Sequence, residues 1–248
     1  MLSHFKLTLL LGSLLLAACA PTLHIEQAAQ LEPTKAKLQA EQAGRFWWQL
    51  RFKLTWPEDE HPDFSRHLLI AEQILVPVLV QHQQQMPLWR FHRRAGRDTT
   101  GHQFSLLFYA SEDTAQQINE QVLDNPLTGW LVAQRMIEAT TFQRRSKEEL
   151  GRLENTSDAS WPMEIQRSWP YFIMGASQSW LTQVQELSAE HAVPQQVDYT
   201  ALLEHYQSVD EKLSNQWRDH GQHAYLHHLS AIYGYQPIKI KSTTLRTF

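Results

Sequence analysis

The chain has 248 residues, 42% hydrophobic and 19% charged, with 22 Lys and Arg against 26 Asp and Glu for a formal net charge of −4. A chain of this length can bury a core of its own in one or two domains, and its mildly acidic balance lacks the broad basic footprint of a nucleic-acid binder. Its single cysteine excludes an internal disulfide framework and any CxxC redox or zinc-ribbon site.

Lys6 precedes an apolar run through Leu7, Leu9, Leu10, Leu11, Leu14, Leu15 and Leu16, and the small residues Ala17 and Ala18 lead into Cys19. Residues 1–18 therefore read as a signal peptide, since the run falls short of the roughly 20 apolar residues of a membrane span. The tetrad Leu16-Ala17-Ala18-Cys19 resembles the lipobox of bacterial lipoproteins. The resemblance implies that Cys19 carries a thioether-linked diacylglycerol and, once the signal is cleaved, an acyl chain on its amino group. The plainer alternative is an ordinary secretory signal with a chance cysteine. At about 0.8 kcal/mol per buried methylene, three acyl chains would hold the protein on a membrane essentially permanently. In a Gram-negative host, Ala20 in place of the Asp associated with inner-membrane retention favours the outer membrane, facing the periplasm. The membrane is then the expected partner of the N-terminus, and an envelope protein or polymer that of the folded body.

Residues 19–44 are polar and rich in Ala, Gln and Glu, and read as the lipidated N-terminus and tether. From 46 to 56 the chain alternates. Phe46, Trp48, Leu50, Phe52, Leu54 and Trp56 fall on one face and Trp47, Gln49, Arg51, Lys53 and Thr55 on the other, as in a half-buried strand ended by Pro57. Leu68, Ile74, Leu75, Val78 and Leu79 suit a buried helix over 64–85, kinked at Pro77, with a strand starting near Leu75 as the alternative because Val-Pro-Val-Leu-Val is also β-prone. Trp89 and Phe91, turn residues from Ala95 to Gly101, and the apolar run 103–110 form a hairpin. Ser111, followed by Glu112 and Asp113, caps a helix running to about Leu123. Pro126 and Gly129 interrupt it, and a further helix is expected over Leu131 to Phe142.

The polar stretch 144–162 reads as a linker or long loop. Beyond it the period becomes helical. Ile173, Ala176, Trp180, Val184 and Leu187 form one stripe, and Tyr199, Leu202, Tyr206, Val209, Leu213 and Trp217 another. A final helix is expected from about His220 to Tyr233, before a basic, extended tail. The resulting fold class is α+β, a small antiparallel sheet with helices on one face over 45–143, followed by a helical second half over 163–248.

Three constellations are candidates for function. His220, His223 and His227 step by three and four residues and would share one face of a continuous helix, so they are candidate zinc ligands. No Glu follows His223 in an HExxH arrangement, and Gly221 weakens the helix, so a solvated histidine cluster is the alternative. Arg51 and Lys53 with Arg90, His92 and Arg94 form a candidate basic face for an anionic ligand, a lipid head group or an acidic partner, if their strands are neighbours. The nine tryptophans pack the core or line a ligand site.

No GxSxG elbow, P-loop, GxGxxG turn or EF-hand loop occurs, so the common hydrolase, nucleotide and calcium motifs lack their anchor residues. Leu88-Trp-Arg-Phe-His-Arg-Arg followed by Gly101-His-Gln-Phe-Ser-Leu-Leu-Phe108 resembles the C-terminal domain of lantibiotic dehydratases and related thiopeptide-biosynthesis proteins, over roughly residues 46–125. That resemblance implies the order strand, helix, hairpin, helix. Ser105 and Leu107 stand where that family tends to carry arginines, so no activity is carried over. The expectation is a lipid-anchored envelope protein that binds a partner without catalysis and needs no cofactor. The alternative is a metal-binding protein or metal-dependent enzyme built on His220, His223 and His227.

Overall fold

Alternation in the first strand sets the architecture. In a computed structural model that describes residues 44–145, 151–190 and 198–239, β1 (Arg45–Leu54) is an inner strand of a four-stranded antiparallel sheet. Cys19, the tether, residues 146–150 and the tail from 240 onward lie outside the described residues. β1 is followed by a helical stretch, α1 (65–81), then β2 (Leu88–Arg94), β3 (His102–Ser111), α2 (Glu112–Leu123), α3 (Pro126–Ala133) and β4 (Ile137–Arg144). The strand order is β2-β3-β1-β4, so the βαββαβ chain makes a split βαβ sheet. Two long helices follow, α4 (Met163–Ala189) and α5 (Tyr199–Gly221), then a π-helical turn Gln222–His227 and a short α6 (His228–Ile232). The fold is α+β with a helical C-terminal half. Among the described residues, no helix is long and apolar enough to cross a membrane.

Leu50, Phe52 and Leu54 of β1 face Leu106, Phe104 and the end of β3 and pack under Leu68, Leu69, Ile74, Ile118, Val122 and Leu131 from the covering helices. Each such side chain removed from water contributes about 1.5–3 kcal/mol, which is why the period-two pattern dominates the fold. The expected kink in α1 takes the form of a π-helical segment, Ile70–Leu75, before Pro77 at the first turn of Val76–Gln81. A widened turn accommodates a residue that has no N–H and whose ring crowds the preceding turn. Ser111 caps α2 as expected, its Oγ accepting from Thr114 N at 3.3 Å.

The segment after Leu131 differs from expectation. Pro126 begins a helix, with Asn125 Oδ1 accepting from Leu127 N at 2.9 Å, because proline at the first helical position loses no hydrogen bond. That helix stops at Ala133. Arg135 adopts φ 57°, Met136 N donates to Leu131 O and Arg135 N to Val132 O, each at 2.9 Å. This is a Schellman closure with arginine in the left-handed position that glycine usually fills. The chain then turns back as β4, pairing with β1 from Trp48↔Arg144 to Leu54↔Ile137. The expected helix over Leu131 to Phe142 is thus half helix and half edge strand.

Both faces of the sheet are partly covered. Trp47, expected on the solvent side, is only 1% exposed. It joins Leu88, Leu107 and Tyr109 in a second small core capped by Leu153 and Met174. The segment from Gly151 onward, expected as a linker, lies on this core. Trp47 Nε1 donates to Leu153 O at 2.9 Å and Tyr109 OH to Gly151 O at 2.7 Å. The β2 edge is closed by α4, where Ser177 Oγ accepts from Phe91 N at 3.0 Å and donates to Ile173 O at 2.8 Å. Covering an edge amide in this way removes a template for aggregation.

Gly151 passes so close to β1 that a Cβ would lie 1.9 Å from Arg45 O. Gly151→Ala is therefore expected to lift the segment off the second core and to lower stability by about 2 kcal/mol or more, read from a urea melt.

Candidate functional site

Arg93 occupies the core side of β2, the face opposite Arg90, His92 and Arg94, because it pairs with Phe104 in the β2–β3 register. Its guanidinium lies between aromatic rings, 5.1 Å from the Phe64 centroid and 4.8 Å from that of Trp180. Nε donates to His67 Nδ1 at 3.2 Å and Nη2 to Phe64 O at 3.5 Å, while Asp210 on α5 stands 3.8 Å away. Burial draws this guanidinium down to about 10 and raises the Asp210 carboxyl. A charge in such a place is tolerated because ring faces, a carbonyl and a carboxylate replace water.

Above Arg93 opens a cleft of about 1170 Å³ between α4 and the end of α5 with its following turns. Trp180, Leu213, Trp217 and Leu229 are among its walls, and Tyr171, Phe172, Tyr225 and Leu226 stand exposed around it. Gln183 Nε2 donates to Tyr225 OH at 2.9 Å, and Trp217 stacks on Tyr225 with centroids 5.8 Å apart. A Cβ on Gly221 would come within 2.9 Å of the Trp217 ring, so this glycine makes room for the indole. Trp217 was expected in the α5 core stripe. Leu202, Tyr206, Val209 and Leu213 are buried as that stripe requires, yet Trp217 is 58% exposed, since the core ends one turn earlier. The π-helical turn, with Gly221 at its entrance, swings the chain so that the aromatic stripe continues as the wall of an open cleft.

Beneath the cleft lies a buried polar pair. The His67 and His102 rings are 4.7 Å apart and His67 stacks on Phe104. Because Arg93 donates to His67 Nδ1, the proton of neutral His67 sits on Nε2. Burial first, then the Arg93 charge, holds His67 well below the ordinary histidine range. Burial and Arg66 lower His102 from 6.5 to about 4.

The candidate basic face is assembled only in part. β3 stands between β1 and β2, and the register places Arg51, Ser105 and His92 in one row and Lys53, Gln103 and Arg94 in the next, on one face. Lys53 is paired with Glu138 at 2.7 Å and Arg94 with Asp98. Arg51, Arg90 and His92 remain together. The histidine set also changes. His223, His227 and His228 have ring centroids 5.4 Å apart pairwise, and His220 does not join them. In a π turn the chain advances by more than four residues per turn, so the i, i+3, i+7 face of an α-helix is lost. Among the described residues, no group of three His, Cys, Asp or Glu side chains is placed to hold a metal ion.

Neither a protein-family model nor a curated protein matches this chain. Among solved structures it is similar to TsrL, at 11% identity and a TM-score of 0.37, covering 77% of this chain and 49% of that one, so the chain spans about half of TsrL. It is also similar to an uncharacterized NIPSNAP-like domain protein from Burkholderia xenovorans, at 10% identity and a TM-score of 0.24, covering 44% of this chain and 90% of that one. Likenesses this distant carry no function across.

The buried histidines have a measurable consequence. The unfolded chain takes up a proton near 6.5 at His102, whereas the folded chain resists it until about 4, so stability present at neutral pH is lost as pH falls through that window. Between pH 7.5 and 4.5 the loss through His102 is expected to be on the order of 2 kcal/mol, with His67 adding to it. His102→Phe should flatten the slope of melting temperature against pH.

Proposed function

We propose that this protein is a lipid-anchored component of a bacterial cell envelope, at the outer membrane facing the periplasm, that acts by binding. Its cleft between α4 and α5 receives the apolar part of an amphipathic, acyl-bearing ligand. The observation that carries this reading is the cleft itself. It has a volume of about 1170 Å³ with aromatic and aliphatic walls, and a partly buried Arg93–Asp210 pair stands among its lining residues. Ligand sites are typically concave and mostly apolar with a few placed polar groups, and this volume lies somewhat above their usual range of about 300–1,000 Å³, as suits a long-chain ligand. A soluble protein rarely leaves Tyr171, Phe172, Trp217, Tyr225 and Leu226 exposed together without a use for them. Arg218 and His228, which also line the cleft, offer polar contacts to a head group while the chain lies against the rings. The anchor rests on Leu16-Ala17-Ala18-Cys19, which lies outside the described residues. An anchored protein with such a cleft stands beside a source of acyl chains.

Two experiments test the two halves of this reading. Titration of the full chain with a long-chain fatty acid is expected to change the emission of Trp180 and Trp217 saturably. Gly221→Ala, which displaces the Trp217 indole, and Leu213→Glu are each expected to weaken binding by about tenfold or more while far-UV circular dichroism is retained. For the anchor, Cys19→Ser is expected to abolish palmitate labelling and to move the protein from the membrane to the soluble fraction with an unchanged thermal melt.

A further inference from the structure

The face of the sheet turned away from the main core carries a charge arrangement that the cleft does not explain. We propose that it is a phosphate-binding site, formed by the guanidinium groups of Arg51, Arg90 and Arg145 over a floor of Gln49, Ser105 and Gln143. Antiparallel pairing puts these residues on one face. Gln49 stands opposite Leu107 and Gln143, Leu107 opposite Arg90, and Arg51 opposite Ser105, while Arg145 N extends the β4 ladder by donating to Trp47 O at 2.8 Å.

Gln49 is the focus. It is 4% exposed, and its Nε2 donates to Ser105 Oγ at 3.1 Å, which fixes the amide with its oxygen toward the arginines. That one oxygen accepts from Arg51 Nη2 at 3.1 Å, Gln143 Nε2 at 3.3 Å and Arg145 Nη1 at 3.4 Å. Three donors, two of them cationic, share an acceptor that has two lone pairs and no charge. Arg90 is likewise held by neutral groups, Nε donating to Thr156 Oγ1 at 3.0 Å and Nη2 to Thr156 O at 3.5 Å. Arg51 Nε is buried and has no acceptor among the described residues. A buried donor without an acceptor is costly, more so when it is charged, unless a ligand or ion completes it.

The cations at the other end of the same face provide the contrast. Lys53 and Arg94 each have a carboxylate, Glu138 and Asp98, whereas no carboxylate among the described residues pairs with Arg51, Arg90 or Arg145. The mutual repulsion is visible in their neighbours. Burial and then the Arg145 charge draw Arg90 down to about 10, and burial followed by the charges of Arg90, Arg145, Arg94 and Arg51 lowers His92. Guanidinium groups fit the oxygens of phosphate and carboxylate alike. Three convergent forks call for more acceptors and more charge than one carboxylate provides, which selects phosphate.

The probe is inorganic phosphate added to the full chain carrying Cys19→Ser, so that no acyl group contributes, with amide shifts followed by NMR at constant ionic strength. Saturable shifts around Arg51 and Ser105 are expected, with affinity about tenfold weaker in Arg51→Gln and in Arg145→Gln and nearly unchanged in Arg94→Gln. Arg90 is left intact in this set because it also seats the 151–156 segment. Failure of the unsubstituted site to saturate, equal affinity in the Arg51 and Arg145 variants, or displacement by acetate at equal concentration overturns the proposal. Sedimentation with phosphatidylglycerol vesicles separates the two sources of phosphate. Vesicle binding that both variants lose and inorganic phosphate competes away assigns a lipid head group, and phosphate binding without vesicle binding assigns a free phosphate.

Discussion

The ten-residue register between β1 and β3, from Arg45↔Ser111 to Leu54↔His102, is the constraint from which the rest of the molecule follows. Side chains alternate across a strand, so this one alignment sends Leu50, Phe52, Phe104 and Leu106 to the main core and Gln49, Arg51, Ser105 and Leu107 to the opposite face. A slip of one residue would exchange the two sets and bury arginines where phenylalanines now pack. The same parity, carried across β3 to β2, puts Arg93 inside and leaves Arg90 and His92 outside. Three basic residues within four positions thereby enter two different environments.

The helical half is shaped by what that sheet leaves open. α4 closes the β2 edge through Ser177, and α5 is tied to α1 by Gln73 Nε2 donating to Tyr206 OH at 2.6 Å. Both helices are longer than the core beneath them. Where the sheet and α1 end, their apolar stripes run on without a partner among the described residues, and the cleft forms between the overhanging ends. Arg93, in its aromatic and polar setting, marks the boundary between packed interior and open wall.

Elements with local signals were legible in sequence and those built on long-range pairing were not. The end of α6 shows why. Gly234, at φ 65°, closes that helix with Gly234 N donating to Ala231 O and Tyr235 N to Ser230 O, and the expected end at Tyr233 lies one residue beyond the observed last residue, Ile232. Arg135 does the same work after α3 without any glycine, so the sequence carries no stop signal there and its pattern predicts helix where β4 forms. β4 has little apolar alternation because it is an exposed edge strand, held chiefly by the backbone of β1. Its existence depends on residues more than eighty positions away. The Trp217 heptad spacing is equally consistent with core and with cleft, and only the extent of the underlying core separates the two.

The chain's own pattern determined the α+β class, the first strand and its two faces, the kinked helix, the hairpin and the Ser111 cap, since each depends on neighbours within about a dozen residues. The same local pattern carries the Leu16-Ala17-Ala18-Cys19 signal. Tertiary structure decided which sheet cations keep a carboxylate among the described residues, which side of the sheet Gly151 and Leu153 cover, and where an aromatic stripe becomes a cleft. Those outcomes depend on strand order and on where packed surfaces end, distances that exist only after segments far apart in sequence have been brought together.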